Sequence, residues 1–257
     1  MRDILTDAAA EGARVEDPAE TARRHARQSL PKRFYAEAGV AEAEGGFAVV
    51  LDGKPVRTPA RNALVVPRRG VAEALAAEWG AQGEFVDPAT MPATRLANSA
   101  IDGVAVETAA VADETAHYAG SDLLLYRAEA PERLAARQAA AWDPVVAWAE
   151  ERFGVRFRLV AGVMPVEQDG AVVRAVRDAM PEDPFVLAGL NTATSLTGSV
   201  LLAFAVLDGR LGADDAWAAA HVDEDWNAEL WGEDEEAARR RAYRRAEMDA
   251  AVLLMRG

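Results

Sequence analysis

Cysteine is absent from this chain of 257 residues, and lysine occurs only at positions 32 and 54. Without cysteine there can be no disulfide bond and no thiolate metal site, which is consistent with a reducing compartment. Basic residues are scarce too, because 28 Lys and Arg are set against 42 Asp and Glu, for a formal net charge of -14. A protein that binds nucleic acid needs a basic face to neutralise phosphates, so this charge argues against that class.

The short motifs of nucleotide binding and nucleophilic catalysis are also missing. Neither GxxxxGK(S/T) nor GxGxxG is present, so no glycine-rich loop of these types can hold phosphates. Ser195 and Ser199 lie in an apolar stretch without a GxSxG elbow, and close helix packing explains these small residues better than catalysis does. We therefore expect no cofactor.

We expect no targeting segment at the start of this sequence. Its first twenty positions are too acidic for a secretory signal or a transit peptide, with carboxylates at Asp3, Asp7, Glu11, Glu16, Asp17 and Glu20. Residues 185–207 carry no charge and are long enough to span a bilayer, but the first half of this stretch is polar. We expect a buried helix there and no membrane insertion.

Hydropathy patterns divide the chain into three parts and predict an α+β fold. Residues 1–31 lack an apolar stripe and predict a mobile arm, which ends at a proline. Residues 32–118 predict an α+β domain with a small antiparallel sheet, in which Asp52-Gly53 forms a hairpin turn. Residues 119–257 predict a mainly α-helical domain with orthogonal, bundle-like packing. Within it we expect a strand at 123–126, paired with 157–160, and one helix over 185–207.

The densest chemistry lies between residues 211 and 255. Helical spacing predicts one helix through His221 to Trp231 with an acidic flank, a break at Trp231-Gly232, and a second helix that begins with acidic residues. In the second helix Glu235 and Glu236 each precede an arginine by four positions, the favourable order for an ion pair. Trp231 lies at the break, where full apolar burial is difficult to build, so we expect it to be exposed and to bind a partner.

A metal site is the alternative interpretation of the same segment. His221, Asp223, Glu224 and Asp225 are residue types that bind metals, and a metal-dependent hydrolase would need them to converge. The other histidines, His25 and His117, are far away in the sequence. The pattern therefore favours a solvated acidic helix with a local pair between histidine and carboxylate, and we expect no metal.

Several longer segments resemble one protein family, the assembly chaperone of the F-type ATP synthase that handles the alpha subunit of the catalytic head. The similarity runs in order from about residue 32 to residue 245 and rests on segments marked by tryptophan and proline. These segments are LDGKPVRTP at 51–59, EWGAQGEFVDPATMPATRLANSAID at 78–102, SDLLLYRA at 121–128, WDPVVAW at 142–148, LTGSVLLAFAV at 196–206 and DEDWNAELWGEDEEA at 223–237.

The resemblance implies a chaperone without catalytic turnover, which binds the unassembled alpha subunit, shields its beta-facing surface and leaves on assembly without nucleotide hydrolysis. A general holdase without a fixed client remains a further alternative beside the hydrolase. The absence of a transit peptide and the bias toward arginine suggest a bacterial cytoplasmic member, and we expect a monomer. The residues that we expect to contact the partner are Asp223, Glu224, Asp225, Trp231, Glu235, Glu236 and, on the sheet, Arg57.

Overall fold

The computed structural model describes residues 30–162 and 167–257, so nearly all of the predicted arm lies outside the described residues. Two compact units emerge, and the described part of the smaller one comprises residues 30–34 together with Gln82–Asp87. In its described part, Lys32 and Phe85 form an isolated antiparallel bridge. Arg33 N donates to Glu84 O at 2.9 Å, and Val86 N donates to Pro31 O at 2.9 Å. The larger unit comprises Tyr35–Ala81 and Pro88–Gly257. The domain boundary predicted at residues 118 and 119 stays a prediction.

The larger unit begins with a small antiparallel sheet, as predicted. Its strands are β1 (Ala38–Ala43), β2 (Gly46–Leu51), β3 (Lys54–Pro55) and β4 (Val65–Val66). The central strand is β2, which pairs with each of the other three. Asp52, with φ of 48°, and Gly53, with φ of 75°, form the turn from β2 to β3. The hairpin expected from Asp-Gly is therefore confirmed, because both residues adopt the positive φ that this dipeptide tolerates.

Short helices follow the sheet. Helix α1 (Arg69–Gly80) packs on β1 and β2, and helix α2 (Pro92–Ser99) continues through a π-helical segment, Ala100–Val104, before α3 (Thr108–His117). Val71 and Leu75, four positions apart on α1, are buried as the helical spacing predicts. The Glu78 carboxylate accepts from Ala93 N at 2.8 Å and Thr94 N at 2.7 Å, which satisfies backbone donors at the start of α2.

The strand predicted over residues 123–126 is wrong for most of its length. Leu123–Leu125 form a 3-10 turn, and only β5 (Tyr126–Arg127) is extended; it pairs in parallel with β6 (Val160–Ala161). The Asp122 carboxylate accepts from Leu124 N at 3.0 Å and thereby bends the chain. The sequence of a short apolar run does not distinguish a strand from a helical turn. Here the hydrogen bond to the buried Asp122 carboxylate favours the turn.

The described remainder of the unit is mainly helical. The next helices are α4 (Glu132–Phe153), α5 (Gly170–Asp178), α6 (Pro184–Thr197) and α7 (Val200–Leu207). The single helix expected over 185–207 is therefore wrong, since Gly198 has a φ of 69° and ends α6. Ser199 begins the next helix, as its hydroxyl accepts from Leu202 N at 3.0 Å. Residues 200–206 are all buried and lie at the centre of the core. None of the helices in the described ranges is long and apolar enough to cross a membrane.

The last helices are α8 (Ala213–Ala220), α9 (Val222–Trp231) and α10 (Glu235–Arg256). The continuous helix expected through residue 231 is interrupted at His221, which separates α8 from α9. Helix α10 packs along α6 and also contacts α2 and α7. Gly189 on α6 allows a close approach, because a Cβ there would lie 2.6 Å from Ala251 O of α10. The small antiparallel sheet followed by a mostly helical region agrees with the predicted α+β class.

Candidate partner-binding site

The turn from α9 to α10 exposes two large apolar side chains. Gly232, with a φ of 89°, ends α9, and the Asp234 carboxylate starts α10 by accepting from Ala237 N at 2.8 Å. Leu230 is 56% exposed and Trp231 is 84% exposed. The Trp231 indole therefore does not contribute to the core. Large apolar side chains that are exposed together are typical of surfaces that bind a partner. We call this surface, residues 223–236, the acidic corner.

The charges at the start of α10 are arranged as the sequence predicted. Arg239 donates to the Glu235 carboxylate at 3.0 Å, and Arg240 donates to the Glu236 carboxylate at 3.2 Å. The side chains of Glu236 and Arg240 are 77% and 68% exposed, so water screens their attraction. These pairs contribute little to stability and leave both carboxylates accessible.

The acidic residues of α9 are held by partners on neighbouring helices. Asp223 accepts from Gln138 Nε2 of α4 at 2.7 Å, and Asp225 forms an ion pair with Arg241 of α10. Glu224 is exposed. Among the three acidic contact residues predicted on α9, Glu224 is thus the most accessible to a partner, while Asp223 and Asp225 also position the helix.

The sequence interpretation missed an ion pair that fastens α9 to α4. Arg137 donates to both oxygens of Glu229, at 2.8 and 3.0 Å, and its guanidinium lies 5.3 Å from the centre of the Trp226 ring. The hydrogen bonds from Arg137 lower the pKa of Glu229. These partners are 92 positions apart. Local spacing therefore gave no signal for the pair.

His221 is buried rather than solvated, which corrects the expected pair between histidine and carboxylate. Its Nδ1 lies 2.7 Å from Trp217 O, and its ring centroid is 4.0 Å from that of Trp217. Burial lowers the pKa of His221, so the neutral imidazole is favoured. Across the described ranges, 30–162 and 167–257, no three His, Asp or Glu side chains are grouped to hold a metal. The alternative of a hydrolase that uses residues 221–225 has no geometric support.

Arg57 lies apart from the acidic corner in the sequence, two positions after β3 and outside the four strands of the sheet. It forms an isolated bridge with Ala63, and its guanidinium donates to Arg61 O at 2.8 Å. The next residue, Thr58, donates its hydroxyl to Asp102 at 2.7 Å and thereby lowers the pKa of that carboxyl. Asp102 thus fastens the loop after β3 to the π-helical segment and gives Arg57 a defined position.

Comparisons with known proteins identify the family of this chain. The family model described as ATP12 chaperone protein matches residues 32–150. The structure resembles the crystal structure of Atp12 from Paracoccus denitrificans with a TM-score of 0.80 and 43% identity, covering 88% of this chain and 97% of that one. The chain belongs to the ATP12 chaperone family.

Two further proteins similar to this chain extend the comparison. The Atu1473 protein from Agrobacterium tumefaciens is 49% identical with a TM-score of 0.84, covering 93% of this chain and 91% of that one. Protein atp12, mitochondrial, from Schizosaccharomyces pombe is 22% identical over an alignment of 219 residues, which covers 80% of this chain and 75% of the relative. The chain is thus a bacterial-type ATP12 protein and a chaperone of ATP synthase assembly, not an enzyme.

Proposed function

We propose that this chain binds the unassembled alpha subunit of the F-type ATP synthase, shields its beta-facing surface and is released on assembly without nucleotide hydrolysis. The observation that carries this proposal is the 84% exposure of Trp231 beside exposed Leu230, at a junction rimmed by carboxylates. Tryptophan is enriched among the residues that dominate binding energy at interfaces. We propose further that the protein acts as a monomer in the bacterial cytoplasm.

An unassembled subunit explains why such a chaperone is useful. A subunit that lacks its neighbour exposes an apolar interface larger than a soluble monomer tolerates, and covering that surface suppresses aggregation. The exposed Leu230 and Trp231 of the corner would cover part of this interface. The carboxylates of the corner would favour a client with a complementary basic region. Release needs no nucleotide, because the beta subunit can compete for the same surface by mass action.

The first experiment measures aggregation of purified alpha subunit by light scattering. We expect the chaperone to suppress aggregation at a near-stoichiometric ratio and added ATP to leave the effect unchanged. An unrelated aggregating protein is the control for client specificity. Equal protection of both proteins would favour a general holdase and contradict the specific proposal.

The second experiment separates binding from folding at the acidic corner. Replacing Trp231 by Ala, or Glu236 by Lys, changes exposed groups, so we expect the melting temperature to stay close to that of the wild type. If the client covers these side chains, either change costs about 2 kcal/mol of binding, which is roughly a thirtyfold loss of affinity. Glu151→Lys, on the exposed face of α4, is the matched charge control and should bind normally.

A double variant tests whether the partner senses the carboxylate position itself. Adding Arg240→Glu to Glu236→Lys restores opposite charges at these two positions, whose charged atoms lie 3.2 Å apart in the wild type. It should recover any stability that was lost but not the affinity for alpha subunit. Wild-type affinity in all of these variants would place the client surface elsewhere. A melting temperature that falls in step with affinity would reduce the corner to a structural feature.

A further inference from the structure

A groove adjoins the acidic corner, and the sequence patterns do not predict it. It lies among α4, α8 and α9 and has a volume of about 360 Å³. Its apolar lining is Ala141, Leu211, Ala218, Ala219 and Val222, and its polar lining is Arg137, Asp215, Asp225 and Glu229. The apolar lining is mostly alanine, and small side chains leave space that a partner's side chain can fill.

The polar residues of the groove differ in whether they already have a partner. Glu229 is bound by Arg137, and Asp225 is bound by Arg241. Asp215 is exposed, and within the described part of the chain no cation lies at ion-pair distance from it. Its neighbour Asp214, by contrast, pairs with Arg245 at 2.6 Å. The groove therefore presents one carboxylate whose charge is not compensated by a local ion pair.

We propose that this groove receives a lysine or arginine side chain of the client, with its cationic head at Asp215 and its aliphatic stem on the alanine lining. This inference rests on the proposed function, because helix α9 belongs both to the groove and to the proposed client surface. It contributes Glu229 to the groove lining, and it carries the exposed Leu230 and Trp231. A client that covers Trp231 thus contacts a helix that also lines the groove.

The chemistry of the groove favours a long basic side chain over an apolar one. Lysine and arginine carry an apolar stem of several carbons below a charged head, so one side chain matches both parts of the lining. A purely apolar side chain would remove water from the Asp215 carboxylate without replacing its hydrogen bonds, which is unfavourable. An acidic side chain would be repelled by a chain whose formal net charge is -14.

Two substitutions test the groove through its charge and its space separately. Asp215→Asn keeps the shape but removes the charge, and Ala218→Phe fills the groove from an exposed position. We expect each to weaken binding of purified alpha subunit about tenfold. Asp215→Asn removes one charge-assisted hydrogen bond, and Ala218→Phe occupies the space that the client's side chain would need to form it. Asp215→Glu should retain most of the affinity, and the salt dependence of binding should be shallower in Asp215→Asn than in the wild type.

A second groove on the same chain supplies matched controls. It has a volume of about 420 Å³ and is lined by residues that include Ala147 and Glu151 of α4. Ala147→Phe and Glu151→Gln make the same chemical changes there and should leave affinity unchanged. Melting temperatures of all variants identify any loss of fold, which matters because Asp215 lies in the first turn of α8 and favours that helix terminus.

The outcomes separate this inference from the function on which it rests. If the wild type binds alpha subunit and both groove variants bind equally well, the groove proposal is overturned while the proposed function stands. If only Ala218→Phe weakens binding, the occupant is not basic and the proposal is also overturned. If the wild type itself does not bind alpha subunit, both proposals fall. Loss in both groove variants with unaffected controls supports a basic occupant.

Discussion

Replacing Gly189 by alanine should destabilise the fold, although alanine is the better helix former. A Cβ at this position would lie 2.6 Å from Ala251 O and 2.8 Å from Met255 Cγ of α10. The first contact is with backbone, so a side-chain rotation cannot relieve it and the two helices must move apart. Overpacking of a core typically costs 1 to 3 kcal/mol, and we expect about 3 kcal/mol here because the obstructing atom is a carbonyl oxygen.

The helix propensity of alanine offsets about 1 kcal/mol of that cost, which leaves a net loss of about 2 kcal/mol. For a protein of this size the loss corresponds to a decrease in Tm of about 4 to 8 °C. Urea denaturation followed by circular dichroism measures it directly. Gly70→Ala on α1 is the control, since nothing lies within 4 Å of its added Cβ, and its stability should be unchanged or slightly higher. Equal stability of Gly189→Ala and the wild type would refute the close approach of α6 and α10.

Three further changes have defined outcomes. Arg68→Ala removes the guanidinium that donates to Leu254 O and, at 3.2 Å, to Met255 O, so urea denaturation should show a loss of about 1 to 2 kcal/mol. Burial raises the pKa of Asp122 to about 6 from 3.8. The folded state thus binds this proton more tightly than the unfolded state. The contribution of Asp122 to the free energy of unfolding therefore decreases as pH rises. Between pH 5 and 7 the stability of the wild type relative to Asp122→Asn should decrease by about 1 kcal/mol, and a pH-independent difference would contradict the assignment. The on-rate for alpha subunit should fall as salt rises toward ~0.5 M, where the Debye length is a few ångströms, and an unchanged rate would mean that the acidity serves solubility alone.

Features that depend on neighbouring residues could be predicted from the sequence. The turn at Asp52-Gly53 and the pair of Glu235 with Arg239 are local, and each follows from backbone preference or helical spacing. The exposure of Trp231 was also predictable, because a tryptophan at a break between polar helices has few apolar neighbours in the sequence. The acidic corner can therefore be predicted as a surface from the sequence alone.

Features that depend on distant residues could not be predicted. Asp122 accepts from Leu201 N at 3.1 Å, 79 positions away, and this contact fixes both the turn before β5 and the start of α7. The apolar run of residues 123–126 fits a strand equally well until that carboxylate is placed. The groove is likewise invisible in the sequence, because its residues Arg137 and Asp215 lie more than seventy positions apart.

The packing of α10 on α2 bears on the order in which the chain folds. Arg95 donates to Glu247 at 2.9 Å across 152 positions, whereas α6 and α7 are joined only by Gly198 and Ser199. Closing the longer loop costs more chain entropy, and contacts of high sequence separation slow folding. We therefore expect α6 and α7 to associate early and α10 to dock late. A helix that docks after the rate-limiting barrier leaves its contacts out of the transition state, so loosening it speeds unfolding and leaves the folding rate almost unchanged.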